Sequence, residues 1–419
     1  MKIWIICQNN SLPEHGHFNR HFNFAKQLKQ MGHEPTLFFG SNPHNTNTQI
    51  VNKGKSICFN NYGFDTNYVK TIVYNGSMKK RLFAMWQFVR NCKIVAKKYA
   101  KENGSPDVII GSSAHPFNAT LALKLAKKYK CKSVCEVRDL WPESIVTYGV
   151  ASANNPLVKW LYKLEKKMYT KADKIIFTMA GGVQYIKDKK LDKENGGPVD
   201  LKKVYYINNG IDLEQFNHNK ENFKVEDPDL DDERTFKFVY TGSLRLVNRD
   251  ILLLLESAKL MKDDKYNNVK FFIYGKGDQT EQICDYIKDN EMKNVIIKDY
   301  VPKDNIPYVL SKCYVAILNC EPNEIISKYG GSQNKLFDYL ASGRPIIAGE
   351  NSKYSVISNN GCGISKTINT AEDLLKIFES FINMTKEEYN NLSNNCKNTA
   401  KNFDFKELTN MLLNVLEKD

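Results

Sequence analysis

Short apolar runs alternate with amphipathic segments along the whole chain. Residues 2–7 form an apolar run that predicts a buried strand, and residues 19–31 place apolar side chains at helical spacing. Gly32 and His33 end that helix, and residues 35–39 continue as a second strand. The same alternation recurs through the first half of the chain, and it is typical of a doubly wound, mostly parallel sheet.

A second series of the same kind begins at residues 236–240 and includes a late strand at 345–348. A polar, acidic, proline-containing segment over residues 217–234 separates the two series. A chain of 419 residues is also too long for one hydrophobic core. The sequence therefore predicts an α/β protein with two doubly wound, Rossmann-like domains facing a central cleft, with ligands at the carboxyl ends of the strands. We place the domains at 1–205 and 206–401, with a C-terminal helix at 402–419 that packs back on the first.

Composition narrows the class of protein. Hydrophobic residues make up 42% of the chain, enough for a globular core, and no apolar stretch approaches the roughly 18 residues that span a bilayer. The N-terminus runs into polar residues rather than a signal-peptide pattern, so we expect a cytoplasmic protein. Ten cysteines without a Cys-x-x-Cys pair favour reduced thiols over disulfides or a structural metal.

The net charge of +13 points to an anionic partner. Nucleic acid, an acidic membrane surface and a phosphorylated substrate all meet that requirement, but no RNA- or DNA-binding motif accompanies the charge. A basic amphipathic helix over residues 79–101 is able to rest on anionic lipid, although a solvated surface helix packed on a sheet is the more frequent outcome. One side of this helix is predicted to carry the apolar residues Leu82, Met85, Trp86, Val89, Cys92, Ala96 and Tyr99.

The string of residues 329–348 carries the most specific chemistry. A glycine-rich turn opens a short helix, which then feeds a Pro-Ile-Ile strand. Lys335 and Asp338 share a helical face, whereas Leu336 and Leu340 point to the core. Free amides at a helix N-terminus favour an anion, and a carboxylate one turn later is placed to hold vicinal hydroxyls. The pattern favours a pocket for a nucleoside diphosphate with its ribose; the alternative is an ordinary helix with a solvated Lys–Asp pair.

Further polar residues lie at predicted strand ends. The first turn of the second series combines a glycine, which lets the backbone approach a diphosphate, with Arg245 and Arg249, whose charge would neutralise a leaving group. Two surface arginines on a loop are the alternative. In the first series, His115 follows a strand and is expected to contact a sugar or, alternatively, to cap or pack locally. Arg138 and Asp139 stand at the end of another strand.

Several motifs occur in an order and spacing that resemble a known family. The first is G-H-F-N-R-H-F beginning at Gly16, followed by M-G-H-E at 31–34. V-R-D-L-W-P-E at 137–143, L-E-K-K-M-Y with A-D-K-I-I-F within 164–177, and N-G-I-D with a later F within 209–216 come next. Together they resemble the retaining glycosyltransferases of family 4, which have the GT-B fold. Within that family they resemble a branch of amino-sugar transferases that build bacterial surface polysaccharides.

The resemblance implies roles for individual residues. Catalytic roles fall on Arg245, Arg249, Lys335, His115 and Asp139. Contacts to the nucleotide sugar fall on Gly242, Ser243, Asn248, Gly275, Tyr300, Val301, Gly330, Gly331, Ser332, Gln333, Asn334 and Asp338. The acceptor side takes Gly16, His17 and Arg138, with Asn10 and His15 as weaker candidates for acceptor or phosphate contacts. Glu143 either orients Arg138 or is a plain surface acid.

This chain departs from the family pattern at three positions, the first of which is Arg138, where relatives often have histidine. The usual arginine after the glycine is Ser243 here, and the first acid of the E-x7-E motif falls on Gly330. We therefore expect backbone amides of residues 330–334 to hold the sugar, while Asp338 binds the ribose. Tyr300 and Val301 are expected beside the nucleobase.

The implied reaction moves a sugar, most simply an N-acetylated amino sugar, from a UDP-sugar to an acceptor. The acceptor is a lipid-linked or surface glycan such as a polyprenyl-diphosphate glycan, and the anomeric configuration of the sugar is retained. The departing β-phosphate would act as base, so no metal and no cofactor is expected, and the UDP-sugar is a substrate. The enzyme would be cytoplasmic and peripheral at the inner face of the plasma membrane. Two alternatives stay open: a UDP-sugar epimerase or sugar-phosphate synthase on the same fold, and a nucleic-acid-binding protein.

Overall fold

The computed structural model describes residues 1–16, 19–43, 46–74, 76–113, 115–244, 250–277, 279–298 and 301–418. Within this part of the chain there are two compact units, Met1–Asn208 with Phe405–Asp419, and Asn209–Asp404. None of the described helices is both long and apolar enough to cross a membrane.

The first unit is built on a mostly parallel sheet. Its strands are β1 (Lys2–Cys7), β2 (Glu34–Gly40), β3 (Ser56–Phe59), β4 (Asp65–Val69), β5 (Val108–Ser113), β6 (Lys132–Val137), β7 (Lys174–Phe177) and β8 (Val204–Tyr206). Among the described residues their order is β3-β4-β2-β1-β5-β6-β7-β8, and β3–β4 is the antiparallel pair. The helices are α1 (Arg20–Gln30), α2 (Met78–Asn103), α3 (Pro116–Tyr129), α4 (Glu143–Thr147), α5 (Pro156–Lys171), α6 (Gly182–Asp188) and the C-terminal α17 (Phe405–Glu417).

The strands of this sheet are apolar on both faces because helices cover them. Trp4 on β1 is buried and packs against the rings of Phe38 and Tyr99. Helices α2 and α3 contribute to the same core, and α5 packs on α3. The C-terminal helix α17 packs on α1, where the ring centroids of Phe24 and Phe405 are 5.4 Å apart. The last helix of the chain therefore completes the first unit.

Helix α2 presents a different face to the core than the sequence pattern indicated. Its buried residues include Met85, Phe88 and Cys92, whereas Leu82 and Trp86 are 48% and 54% exposed. The prediction of one apolar side containing both Leu82 and Met85 was wrong. The helix carries two apolar stripes, and only one of them packs against the sheet.

Glu165 on α5 is a fully buried carboxyl group held by two tyrosines. It accepts hydrogen bonds from the hydroxyls of Tyr169 (3.0 Å) and Tyr185 (2.8 Å). Burial raises the pKa of Glu165 to about 8, although both hydroxyls and Lys189 act in the opposite direction. The folded protein thus keeps a proton that the unfolded chain releases near pH 4.3. Stability from this group is fully present below that pH and is lost as the pH rises through about 8.

Glu165→Gln is expected to remove this pH dependence. Between pH 5 and pH 8 the free energy of unfolding of the wild type should fall by about 3 kcal/mol through this one group. The glutamine cannot ionise and keeps an oxygen that accepts from both tyrosines, so the variant should be the more stable protein at pH 8. Urea unfolding at the two pH values measures the difference. Equal destabilisation of the variant at both would contradict the assignment.

The second unit repeats the architecture. Its strands are β9 (Phe236–Thr241), β10 (Val269–Tyr274), β11 (Val295–Lys298), β12 (Val315–Asn319), β13 (Ile346–Ala348) and β14 (Gly363–Ser365). Over the described ranges they form a parallel sheet in the order β11-β10-β9-β12-β13-β14. The helices are α7 (Leu213–Asn222), α8 (Pro228–Asp231), α9 (Asp250–Lys259), α10 (Thr280–Asp289), α11 (Ile306–Ser311), α12 (Glu324–Tyr329), α13 (Asn334–Ser342), α14 (Val356–Asn359), α15 (Ala371–Ile382) and α16 (Lys386–Asn402). The predicted α/β class with two Rossmann-like sheets is confirmed.

Each sheet reverses its strand order beside its first strand. The reversal lies between β1 and β5 in the first unit and between β9 and β12 in the second. Ligands of such sheets bind outside the carboxyl ends of the strands at this point. The residues that follow these four strands are therefore where a site is expected.

Candidate functional site

Two glycine turns meet at the carboxyl ends of β9 and β10. The Gly242 amide donates to the carbonyl of Tyr274 (3.0 Å), and the Leu244 amide donates to the carbonyl of Lys276 (3.2 Å). A β-carbon on Gly275 would overlap the carbonyl oxygen of Gly242, and Gly242 itself has φ 154°. Glycine is required at Gly275 because the two backbones touch, and it is favoured at Gly242 by the positive φ. The result is a stretch of exposed backbone beside Ser243, which is open to solvent.

Lys335 lies in the first turn of α13 and points to the end of β9. Its Nζ is 3.9 Å from the ring centroid of Tyr240, which is a cation–π contact. Burial lowers the pKa of Lys335 to about 8, against the electrostatic effects of Asp250 and Cys320. The lysine is therefore mostly charged at neutral pH and surrounded by little water. Such a cation stabilises a neighbouring anion more strongly than a solvated one does.

Asp250 is a site residue that the sequence did not single out. It begins α9, and its Oδ1 accepts from the amides of Cys320 (2.9 Å) and Glu321 (2.7 Å), just after β12. Burial raises the pKa of Asp250, while the Glu321 amide, Lys335 and the Cys320 amide lower it. The Asp250 carboxylate thus interacts with the backbone just after β12, with Tyr240 near the end of β9 and with Lys335.

Asp250→Asn is expected to shift the alkaline limb of the pH–activity profile. The charge of Asp250 raises the pKa of Lys335, so removing that charge lowers it. The limb of kcat/KM, which reports the free enzyme, should move from near pH 8 to lower pH by about one unit. The amide oxygen of asparagine still accepts from both backbone groups. Asp231→Asn is the matched control, because Asp231 pairs with Lys312 (2.9 Å) at the amino end of β12. An unchanged limb in Asp250→Asn would contradict the coupling.

Asp338 lies one turn further along α13, in separate surroundings. Burial raises the pKa of its carboxyl, and Lys303 acts in the opposite direction. Lys303 follows Val301 closely in the chain, so Asp338 is near the segment that was predicted to hold the nucleobase. Lys335 interacts with Asp250 instead. The alternative of a solvated Lys–Asp pair on an ordinary helix therefore does not hold.

The turn before α13 is fixed from a distant part of the chain. Asn209 is 6% exposed, and its Nδ2 donates to the carbonyl of Ser332 (2.7 Å) and to Oδ1 of Asn334 (3.1 Å). The Gly330 amide donates to the carbonyl of Ile326 (2.7 Å) and ends α12, so this amide is engaged within the chain. Gln333 precedes α13 without a side-chain capping bond. The sequence placed Asn209 in the N-G-I-D motif without indicating this contact.

Glu350 adds a second carboxyl that the sequence analysis missed. It follows β13, is 4% exposed, and accepts from Nδ2 of Asn319 (3.5 Å). Burial raises the pKa of Glu350 to about 7; the Asn319 bond lowers it and the charge of Asp250 raises it further. The signal that identifies it is its place immediately after the buried Pro-Ile-Ile strand. Glu350 thus lies close enough to Asp250 for the two carboxyl groups to interact.

In the first unit, His115 is fully buried and follows β5. Its Nε2 donates to Oε1 of Gln8 (2.8 Å), and within the described residues Nδ1 makes no hydrogen bond. Burial and the charge of Arg81 lower the pKa of His115 to about 3, so the ring is neutral. It precedes α3 without a capping bond.

The Asp139 carboxyl interacts electrostatically with Arg138 and Arg81. Arg81 is therefore a cationic neighbour of both His115, after β5, and Asp139, after β6.

Other residues of the first unit that the sequence singled out have partners that were not predicted. His15 Nδ1 is 3.0 Å from the hydroxyl of Tyr68. Glu143 accepts from the Tyr162 hydroxyl (2.6 Å) and pairs with Lys189, so the expectation that it orients Arg138 was wrong. Gly16 lies against Ser11. The predicted residues Arg245, Asn248, Arg249, Tyr300 and His17 lie outside the described residues.

A buried charged network at the end of β6 was also missed. Glu136 accepts from Arg20 Nε (3.0 Å) and from His21 Nε2 (2.6 Å), and Arg20 also donates to the carbonyls of Ile207 (2.9 Å) and Asn208. The pKa of Glu136 is well below its ordinary value: burial raises it, but the charges of Arg20 and His21 outweigh that effect. The network fixes the chain where it leaves β8.

Comparison with known proteins gives two family matches. The description Glycosyltransferase Family 4 matches residues 18–215, and Glycosyl transferases group 1 matches residues 235–382. These matches indicate a GT-B glycosyltransferase. None of the curated proteins matches the sequence.

Solved structures support the fold of this glycosyltransferase over its whole length. A glycosyltransferase from Rickettsia africae has a TM-score of 0.66 at 15% identity, covering 99% of this chain and 97% of its own. HepE from Anabaena, in complex with UDP and glucose, has a TM-score of 0.65 at 13% identity and covers 99% of both chains. The α,α-trehalose 6-phosphate synthase from Burkholderia multivorans has a TM-score of 0.69 at 12% identity, with 99% and 96% covered.

Proposed function

We propose that this glycosyltransferase moves a hexosyl group from a UDP-sugar to an acceptor hydroxyl with retention of configuration. The observation that carries the proposal is the half-buried Lys335, held over Tyr240 and beside Asp250 at the switch point of the second sheet. A diphosphate at the carboxyl ends of β9 and β10 would meet this cation, exposed backbone and the N-terminus of α13. The complex of HepE with UDP supports a uridine nucleotide.

The proposed reaction breaks the bond between the sugar C1 and the β-phosphate oxygen and forms a bond from C1 to the acceptor oxygen on the same face. The acceptor proton passes to the departing β-phosphate, so the protein supplies no nucleophile, and the reaction uses neither metal nor cofactor. Lys335 stabilises the negative charge that grows on the diphosphate. Arg245 and Arg249 are proposed for the same task, and Asp338 for the ribose.

The acceptor is proposed to bind the first unit at the carboxyl ends of β5 and β6. His115 and Asp139 follow these two strands, and Arg81 interacts with both. The sequence N-K-L-F-D-Y in α13 supports an N-acetylated amino sugar, and the charge of +13 supports a polyprenyl-diphosphate-linked glycan of a bacterial surface polysaccharide. Such an acceptor places the enzyme at the inner face of the plasma membrane.

A sugar-phosphate synthase is the second candidate. The likeness to α,α-trehalose 6-phosphate synthase favours it, because that neighbour covers 99% of this chain. The two candidates differ in their acceptor, a sugar phosphate in one and a lipid-linked glycan in the other. Both use the same donor site.

Ligand-induced thermal stabilisation followed by product analysis tests the proposal. UDP and UDP-sugars should raise the melting temperature, whereas GDP and dTDP should have less effect. Incubation with UDP-N-acetylglucosamine and a polyprenyl-diphosphate acceptor should yield a glycolipid with retained configuration. A product formed only with a sugar phosphate would favour the synthase, and conversion of the donor without any acceptor would favour an epimerase. No stabilisation by any nucleotide would overturn both candidates.

A further inference from the structure

Helix α2 has an apolar stripe that the rest of the described chain leaves open to solvent. Met78 is 58% exposed, Leu82 and Phe83 are each 48% exposed, and Trp86 is 54% exposed. These residues follow one another at helical spacing over the first three turns, beside the buried stripe that begins at Ala84. Large apolar side chains in such a cluster mark an interaction surface more often than single exposed ones do.

The same end of the first unit carries a second exposed apolar group. Leu157 and Trp160 in the first turns of α5 are 58% and 48% exposed, and Tyr148 and Val150, just before α5, are 59% and 68% exposed. In a strand–helix–strand unit, a helix begins near the carboxyl end of the strand that precedes it. The α2 stripe and this second group therefore lie toward the carboxyl edge of the sheet. We call the two together the carboxyl-edge apolar surface.

Two contacts support this placement. The ring of Trp160 is 6.3 Å from that of Phe117, which begins α3 directly after β5. Arg81 in the first turn of α2 is close enough to His115 and Asp139 to change the pKa of each. The apolar surface thus adjoins the strand ends that hold the candidate acceptor residues.

The charge along α2 is of one sign. Residues 78–101 contain eight lysines and arginines and no aspartate or glutamate. The guanidinium of Arg90 lies 5.4 Å from the ring centroid of Trp86, and Lys79 and Lys80 are exposed at the start of the helix. A partner that covers this surface has to be both apolar and anionic. A second copy of the chain does not fit, because two such helices repel each other at a net charge of +13 per chain.

We propose that the carboxyl-edge apolar surface docks the first unit on an anionic lipid membrane. Tryptophan and phenylalanine fit the boundary between headgroups and acyl chains, and lysine stems extend from it to the lipid phosphates. The surface would bring the ends of β5 and β6 to the level at which a lipid-linked hydroxyl is presented. Only this last step rests on the proposed function; membrane binding itself does not.

Vesicle flotation of the full chain tests the proposal with two double variants. Phe83→Ser with Trp86→Ser removes apolar depth and should weaken partitioning to vesicles of phosphatidylcholine with phosphatidylglycerol at least about tenfold. Lys79→Glu with Lys80→Glu should weaken it at least about thirtyfold. The second pair is safe for folding, because Ser77 caps α2 and acids in a first helical turn are stabilising.

Matched controls lie in the second unit. Phe223→Ser with Leu260→Ser changes two side chains that are each 40% exposed, and Lys376→Glu changes an exposed lysine on α15. These controls should bind vesicles as the wild type does, and all variants should keep the thermal stabilisation by UDP. If UDP did not stabilise the wild type, the proposed function would be overturned while the docking proposal stayed intact.

Several results would overturn the docking proposal. The wild type could fail to bind vesicles at low salt. It could bind equally well with and without phosphatidylglycerol, or the double variants could float as the wild type does. Light scattering that shows a dimer abolished by Phe83→Ser with Trp86→Ser would assign the surface to a second copy. Retention of random oligonucleotides abolished by Lys79→Glu with Lys80→Glu would assign it to nucleic acid.

Discussion

Lys335→Met is expected to lower kcat by about a hundredfold to a thousandfold, because one preorganised charge at a leaving group contributes that much. Methionine retains the apolar contact with Tyr240 and removes the charge that faces the diphosphate. The growing negative charge then has only the backbone and the remaining cations to stabilise it. Steady-state kinetics with a UDP-sugar at saturating acceptor measure the loss.

The control for this prediction is Lys328→Met. Lys328 also lies over an aromatic ring, 5.2 Å from the centroid of Tyr329, but it is exposed on α12. Its replacement removes a cation–π contact of the same kind from an exposed side chain. Near-normal kcat in Lys335→Met, with the control equally active, would remove Lys335 from the mechanism. Circular dichroism of both variants shows whether the fold is retained.

Glu136→Gln is expected to cost about 3–5 kcal/mol of stability, because it leaves buried cations without their counter-charge. Glu136 holds Arg20 and His21 by direct hydrogen bonds and is 3% exposed. Its folded pKa lies below the unfolded one, so the stabilisation is present above about pH 4.3 and is lost as the pH falls further. Urea unfolding at pH 7 should therefore show a large difference from wild type, and that difference should shrink only as the pH is lowered well below about 4.3.

A double-mutant cycle with Arg20→Met sharpens this prediction. Removing both partners should cost less than the sum of the single changes, because neither charge is then left alone. Glu165→Gln serves as the matched control, since it alters an equally buried glutamate that holds hydroxyls rather than cations. If Glu136→Gln were as harmless as Glu165→Gln at pH 7, the network would not contribute to stability as proposed.

Residues 329–348 show which features a local sequence pattern predicts and which it does not. The glycine turn, the helix and the following buried strand were all predictable, because each depends on residues close together in the chain. The function of Lys335 as a half-buried cation also depends on Tyr240 and Asp250, about ninety positions earlier. Nothing in the local sequence of Asp250 marks it, since an acid in the first turn of a helix is common.

Glu350, Asn209 and Glu136 were missed for the same reason. Each acquires its role from a partner on another element: Asn319 for Glu350, Ser332 for Asn209, and Arg20 for Glu136. A sequence shows that such residues are polar, but burial decides whether their charge matters. Glu143 illustrates the opposite case, because its nearness to Arg138 in the chain suggested a contact that Tyr162 and Lys189 take instead.

The sequence by itself determined the two strand–helix series, their parallel sheets and the glycine turns at the strand ends. It did so because the spacing of apolar residues and the backbone freedom of glycine are local properties. The tertiary structure alone decided which charges meet and which stripe of α2 stays open. A long helix with two apolar stripes is able to bury either one, and only its packing against β4 and α3 selects between them.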